Sequence, residues 1–285
     1  MGGALDEQLD ALVAAVLASA KYRHVSPEFV RAIGARELAI RPNLKTAVKA
    51  TKNALHQAGG AFLDAPIDYN RTLARLRETA QAGLDSERLR DACREAMTGH
   101  TSTRERLPIL NTFYTTIMAT IPPPGRIIDI ACGLNPLARP WMPLPTTTEY
   151  IACDIYANQI AFLNQYFELA GIPGRAEVRD VIGRPPDEPA DLALILKTLP
   201  CLETVDKTAP ARLLDTIRAP WLLVSFPTQT LCGRRRGESS RSMAAHYEAG
   251  FRRLLDERGW PAERFEFATE LAFLVNKGRA TAVRG

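Results

Sequence analysis

Asp129, Gly133 and Asp154 are spaced as cofactor-binding residues are. Residues 126–136 read Arg-Ile-Ile-Asp-Ile-Ala-Cys-Gly-Leu-Asn-Pro. A short β-branched run reaches the acid Asp129 and then a small-residue turn holding Ala131 and Gly133. A buried parallel strand hands over to a ligand loop in this way, because small residues let the backbone approach what it binds. Asp154 lies 21 residues beyond Gly133, at the end of a second apolar run, Tyr150-Ile151-Ala152-Cys153. An acid so placed can hydrogen-bond ribose hydroxyls. The full G-x-G-x-x-G is absent, and Asn135-Pro136 stands where a dinucleotide fold continues into its helix. An ordinary α/β hairpin would look similar. A nucleoside ligand without a diphosphate fits the shortened loop better than NAD, and S-adenosylmethionine (SAM) is such a ligand.

The elements that position these residues alternate from residue 126 onward. Strands are expected at 126–130, 149–153, 176–179, 192–196 and 221–226, with a terminal pair at 265–267 and 271–275. Helices are expected at 156–170, about 205–217 and about 239–258. Alternation of this kind predicts a parallel α/β sheet with helices on both faces. Asp129, Gly133, Asp154, Asp180, Lys197 and Ser225 then fall together at the carboxyl ends of the strands, where such sheets bind ligands.

No strand signal precedes residue 120. Helices are expected over 5–20, 27–39 (Ser26 capping, Pro27 in the first turn), 43–63, 68–82 and 86–97. A further helix is expected from about 100 to 119, with its hydroxyl residues Thr101, Ser102 and Thr103 offering the cap and Arg106 in its first turn. An arginine there is unfavourable against the helix dipole, so a carboxylate or phosphate is expected beside it; an ion pair with Glu105 or another acid is the alternative. The chain thus divides into a helical domain over 1–105 and a sheet domain over 106–285.

The net charge is only +4, but residues 21–52 carry eight basic side chains against Glu28 and Glu37. Lys21, Arg23, Lys45, Lys49 and Lys52 belong to this block, and Arg234, Arg235 and Arg236 form a second cluster. Basic blocks suggest a polyanion such as nucleic acid, although a solvated helix face looks alike. The five cysteines show no C-x-x-C spacing, and the four histidines are scattered, so neither disulfides nor a metal site is expected. The apolar residues 11–20 follow Asp6, Glu7 and Asp10, which suits an amphipathic helix rather than a signal sequence, and a cytoplasmic protein is expected.

Several segments together resemble one family. They are Lys21-Tyr22, His56-Gln57-Ala58, His100-Thr101-Ser102-Thr103 with Glu105-Arg106, and Cys132-Gly133-Leu134-Asn135-Pro136. Lys197-Thr198-Leu199-Pro200-Cys201-Leu202-Glu203, Ser225-Phe226-Pro227-Thr228 and Gly233-Arg234 complete the set. The chain resembles the aminoglycoside-resistance ribosomal RNA methyltransferases that modify N7 of a guanine in the decoding A site of 16S RNA. The resemblance implies a seven-stranded, Rossmann-like SAM-dependent methyltransferase sheet with an all-helical N-terminal domain that binds RNA. It implies a 30S ribosomal subunit as partner; the residues do not give the oligomeric state, and a monomer is the default expectation. By position, Arg106 would hold the methionine carboxylate of SAM, Gly133 would line the turn, and Asp154 would take the ribose. Asp180 and Val181 would bind the adenine, and Lys197 would be the catalytic residue beside the methyl group and target base.

Ala131 departs from the glycine common at that place and is expected to keep φ below zero. Phe113, Tyr114 and Phe226 are candidates to stack on a flipped base, and each could equally be core. Cys201 reads as a packing residue, and Lys197 could instead be a structural lysine paired with an acid. The alternatives in function are methylation of another base, such as adenine N1, and a non-catalytic RNA-binding assembly factor.

Overall fold

In a computed structural model, residues 2–59, 66–80, 86–228 and 240–279 are described. Strands β1 (Arg126–Ile130), β2 (Glu149–Asp154), β3 (Gly174–Val178), β4 (Leu192–Leu196), β5 (Trp221–Pro227), β6 (Ala262–Glu266) and β7 (Glu270–Asn276) form one sheet. Their order is β3-β2-β1-β4-β5-β7-β6. β1 to β5 are parallel, and β7 runs antiparallel between β5 and β6. The order reverses between β1 and β4, which opens a crevice at the carboxyl ends of those strands.

Alternation along each strand decides which face each residue supplies. Ile128, Ile130, Ala193 and Ile195 point into one core with helices α1 (Gly2–Leu17), α2 (Pro27–Ile40) and α3 (Leu44–Ala58). That core also receives α9 (Leu199–Val205), α10 (Ala209–Thr216) and α11 (Ser240–Arg258). Ile127, Leu192 and Leu194 point into the opposite core. There they meet α4 (Tyr69–Ala80), α5 (Glu87–Met97), α7 (Leu110–Met118) and α8 (Ala157–Ala170). The expected boundary near residue 105 is therefore no break in packing, because helices before it share a hydrophobic core with each face of the sheet. Leu12 and Val16 of α1 are fully buried, so the apolar stretch from residue 11 to the helix end at Leu17 faces the core, and residues 18–20 form a turn. No helix among the described residues is long and apolar enough to cross a membrane.

Two expected helices are interrupted. The one anticipated over 100–119 is α6 (Thr101–Arg106), a 3-10 turn at Leu107–Ile109, and then α7. Pro108 has no N–H to donate, so the ladder breaks beside it. Arg106 consequently ends a short helix instead of starting a long one, which the dipole favours. His100 holds the cap position without a side-chain cap bond; the hydroxyl of Thr103 instead donates to Met97 O at 2.7 Å and ties α6 to α5. The helix expected over 205–217 is α10 alone, because Asp206 captures the N–H and hydroxyl of Thr208 and separates it from α9.

Backbone pairing before α2 fixes the helical layer over the sheet's carboxyl edge. Val25 bridges to Tyr156, Ser26 N–H donates to Ile155 O and Ala157 N–H donates to His24 O, both at 2.7 Å. This places Phe29 of α2 and Gly59 after α3 beside the end of β2.

Candidate functional site

The carboxyl ends of β1, β2 and β4 and the segment following β3 open onto a cavity. Ala131, Asp154, Asp180, Val181 and Lys197 line it, as do Phe29 and Gly59 from the helical layer.

The turn after β1 is held in a left-handed conformation at two points, Ala131 (φ +52°) and Gly133 (φ +51°). Ala131 therefore does not keep φ below zero, as its residue type suggested. Its neighbours impose the bend at a cost of about 1–2 kcal/mol. Gly133 needs its glycine twice over. Its φ is one that side chains rarely adopt, and a Cβ there would meet the His100 ring at 2.8 Å; its N–H donates to Asp154 Oδ2 at 2.9 Å. Gly133 thus supports the cavity from behind Asp154. The other Asp154 oxygen accepts from Ile155 N–H at 2.7 Å. Burial nevertheless pushes the Asp154 carboxyl above its ordinary value, those N–H groups pulling the other way.

Asp180 accepts from Ile182 N–H at 2.9 Å, which makes a tight turn that presents Val181 and Ile182 to the cavity. Arg179 is clamped between Glu177 and Glu188, so its charge is neutralised within the protein. The carboxylates of Asp154 and Asp180 are acceptors suited to hydroxyl and amino donors, and this acceptor set fits the ribose and adenine of SAM.

Lys197 also has positive φ (+59°). Backbone strain of this kind is held in place by its surroundings. The side chain is 1% exposed, and its Nζ donates to Glu105 Oε2 at 2.8 Å and Ser102 O at 3.4 Å. Glu270 Oε2 lies 3.5 Å away. Lys197 pairs with acids, as the structural reading expected, and it also lines the cavity.

Arg106 lies outside the cavity lining. Its guanidinium, 1% exposed, donates from Nη2 to Glu270 Oε1 at 2.8 Å, from Nε to Oε2 at 3.0 Å and from Nη1 to Asn135 Oδ1 at 2.9 Å. The carboxylate expected beside this arginine is thus supplied by the chain itself. Burial raises the Glu270 carboxyl, but Arg106 and Lys197 outweigh it and hold the group below its usual value. Asn135 continues the network by donating to Asp129 at 2.9 Å, and Tyr150 donates to the same oxygen at 2.7 Å. Burial pushes Asp129 up to about 7 despite these bonds and Arg106.

Glu270 was not singled out in the sequence. Its one signal is an acid heading an apolar strand, together with two cations, Arg106 and Lys197, that need a counter-charge once buried. Of the two readings of the aromatics the structure favours core: Phe113, Tyr114 and Phe226 are all buried, packed against other rings and, for Phe113, beneath the Arg106 guanidinium. None presents a face to a flipped base. Cys201 is half-buried in the cavity wall.

The basic block also divides. Arg31 pairs with Asp10, Arg36 with Asp206 and Arg41 with Glu37. Arg23, Lys45 and Lys49 are exposed and have no ion-pair partner among the described residues. Lys45, Lys49 and Lys52 recur along α3, with Lys21 joined to the end of that row through His56 at 3.1 Å. Lys52 is half-buried and donates to Ser19. Arg234, Arg235 and Arg236 lie outside the described residues.

Sheet order, switch-point cavity and paired strand-end acids define a SAM-dependent methyltransferase. The family described as ribosomal RNA methyltransferase (FmrO) matches residues 18–274, and the chain belongs to it. A 16S rRNA (guanine(1405)-N(7))-methyltransferase of Micromonospora echinospora is 39% identical over 95% of this chain and 98% of its own. One of the same name from Serratia marcescens is 35% identical over 94% and 98%. The crystal structure of the 16S rRNA methyltransferase RmtF in complex with S-adenosyl-L-homocysteine matches with a TM-score of 0.80. It is 34% identical and covers 95% of this chain and 98% of that one. The 16S rRNA methylase RmtB matches with a TM-score of 0.74 at 30% identity, over 94% and 98%.

Proposed function

We propose that the protein transfers a methyl group from SAM to N7 of a guanine in the decoding A site of 16S ribosomal RNA. Its substrate is the assembled 30S subunit in the cytoplasm, and it acts as a monomer. The modified base carries an added methyl group and positive charge where certain aminoglycosides dock, so the host resists them. The relatives' names number this guanine 1405.

When bound, SAM supplies an electrophilic methyl group. Guanine N7 bears a lone pair at neutral pH, so no residue of this chain has to remove a proton. The protein's task is alignment and electrostatics. In this reading Asp154 takes the ribose hydroxyls, Asp180 and the backbone at Val181 take the adenine, and Gly133 keeps Asp154 in place. Arg106 is sealed against Glu270 and Asn135, so the methionine carboxylate expected there would have to open that network to reach it. Lys197 orients the guanine by donating to O6. The row on α3 with Lys21 and Arg23 grips phosphates without reading sequence, and Arg234, Arg235 and Arg236 join from the other side. A-form RNA hides its major groove, so the guanine must leave the stack to expose N7.

The observation that carries this reading is Lys197, a buried lysine at the cavity wall held at positive φ by the structure around it. It is followed by Thr198-Leu199-Pro200, where exocyclic-amine enzymes place Asn/Asp-Pro-Pro-aromatic. The test is transfer of labelled methyl from SAM to purified 30S subunits and to naked 16S RNA, with mapping of the product. One N7-methylguanine in the 30S decoding site is expected. Label on an adenine, or none with SAM bound, would overturn it.

A further inference from the structure

We propose that Glu105 tunes the cavity to a cationic ligand, so that SAM is preferred over its neutral product S-adenosylhomocysteine. The inference rests on the SAM reading above. A sulfonium gives SAM one more positive charge than its demethylated product, and Lys197, whose ammonium is buried against Glu105, is one of the residues lining the cavity. An uncompensated lysine there would oppose the charged cofactor and favour the product.

The geometry prevents this. Glu105 is the nearest acid to Lys197, at 2.8 Å. Glu270 is farther, at 3.5 Å, and is committed to Arg106 through both its oxygens and to Ser225 through one. With Glu105 ionised, Lys197 and Arg106 are balanced by Glu105 and Glu270. Arg179 is likewise clamped by Glu177 and Glu188. Asp154 and Asp180 then give the wall an acidic surplus. Glu105 is 27% exposed, whereas Glu270 is sealed, so the compensating charge most open to substitution is Glu105. Its role is positioning and charge balance, exerted through Lys197.

The test is calorimetric binding of SAM and of S-adenosylhomocysteine to the full chain and its variants. In Glu105→Gln, SAM affinity should fall relative to that of the product by a factor on the order of ten, the scale of a unit charge acting within a protein cavity. Glu105→Asp should restore the wild-type ratio. Lys197→Met should shift the ratio the opposite way, toward SAM, which also serves if Glu105→Gln fails to fold. A purely structural role would weaken both ligands alike, and that result, or an unchanged ratio in both variants, overturns the inference. Wild-type protein that binds neither ligand would overturn the SAM reading along with it.

Discussion

Arg106 and Glu270 are joined by paired hydrogen bonds of 2.8 and 3.0 Å, with both side chains sealed from solvent. The pair ties the end of α6 to the first residue of β7, across 164 residues of chain. It also sets the charge environment of Lys197, which shares Glu270.

Removing one partner leaves an uncompensated buried charge. Glu270→Ala should therefore cost about 3–5 kcal/mol of stability, more than a surface ion pair such as Arg75–Glu95 could contribute. Chemical denaturation of the two variants, Glu270→Ala and Glu95→Ala, checks this. Equal losses would show that the buried pair is not special.

Gly133 and Ala131 share a left-handed backbone but should respond oppositely. Gly133→Ala adds a Cβ 2.8 Å from His100 at φ +51° and should destabilise the protein by at least about 1 kcal/mol while weakening SAM binding. Ala131→Gly relieves strain at φ +52° and should be neutral or stabilising, the added freedom of the unfolded chain offsetting part of the gain. Thermal unfolding with and without SAM distinguishes the two.

Lys197→Met removes the donor assigned to guanine O6 while keeping much of the side chain's bulk. Methyl transfer to 30S subunits should fall roughly 10- to 100-fold, the scale of one hydrogen bond from a charged group. SAM binding should persist, so single-turnover transfer measured beside calorimetry separates loss of chemistry from loss of cofactor.

Asp129 gives a pH signature. Its carboxyl rises from 3.8 to about 7 on folding. Between those values the folded state holds a proton that the unfolded chain has released. This contribution to stability is fully present below about pH 4, declines as pH rises toward 7 and is flat above. Asp129→Asn should remove that slope, worth about 1.4 kcal/mol per pH unit within the window. Denaturation midpoints of both proteins from pH 4 to 8 test it, and parallel curves would sink the assignment.

Lys45 and Lys49 should contribute to RNA affinity through phosphate neutralisation alone. Each alanine variant should lower 30S binding and flatten the dependence of log affinity on log salt by about one unit. Arg31→Ala should not, because that side chain is already paired with Asp10.

Much of the fold was legible because its signals are local. Apolar runs ending in Asp129, Asp154 and Lys197 marked three strands and their carboxyl ends, since a strand's period and its terminating turn lie within a few residues. Ser26 and Ser86 marked helix starts for the same reason, each side chain accepting the N–H three residues on. What the tertiary structure alone decided depends on residues far apart in the chain. Glu270 acquires its meaning from Arg106 and Lys197. The positive φ of Ala131 comes from packing that overrides residue type, and Phe29 reaches the cavity through the Val25–Tyr156 bridge. Which basic residues stay open to RNA was equally hidden, because Asp10 and Asp206 neutralise Arg31 and Arg36 from other helices or loops. Charge pairing and close packing act through space, and neither leaves a period in the sequence.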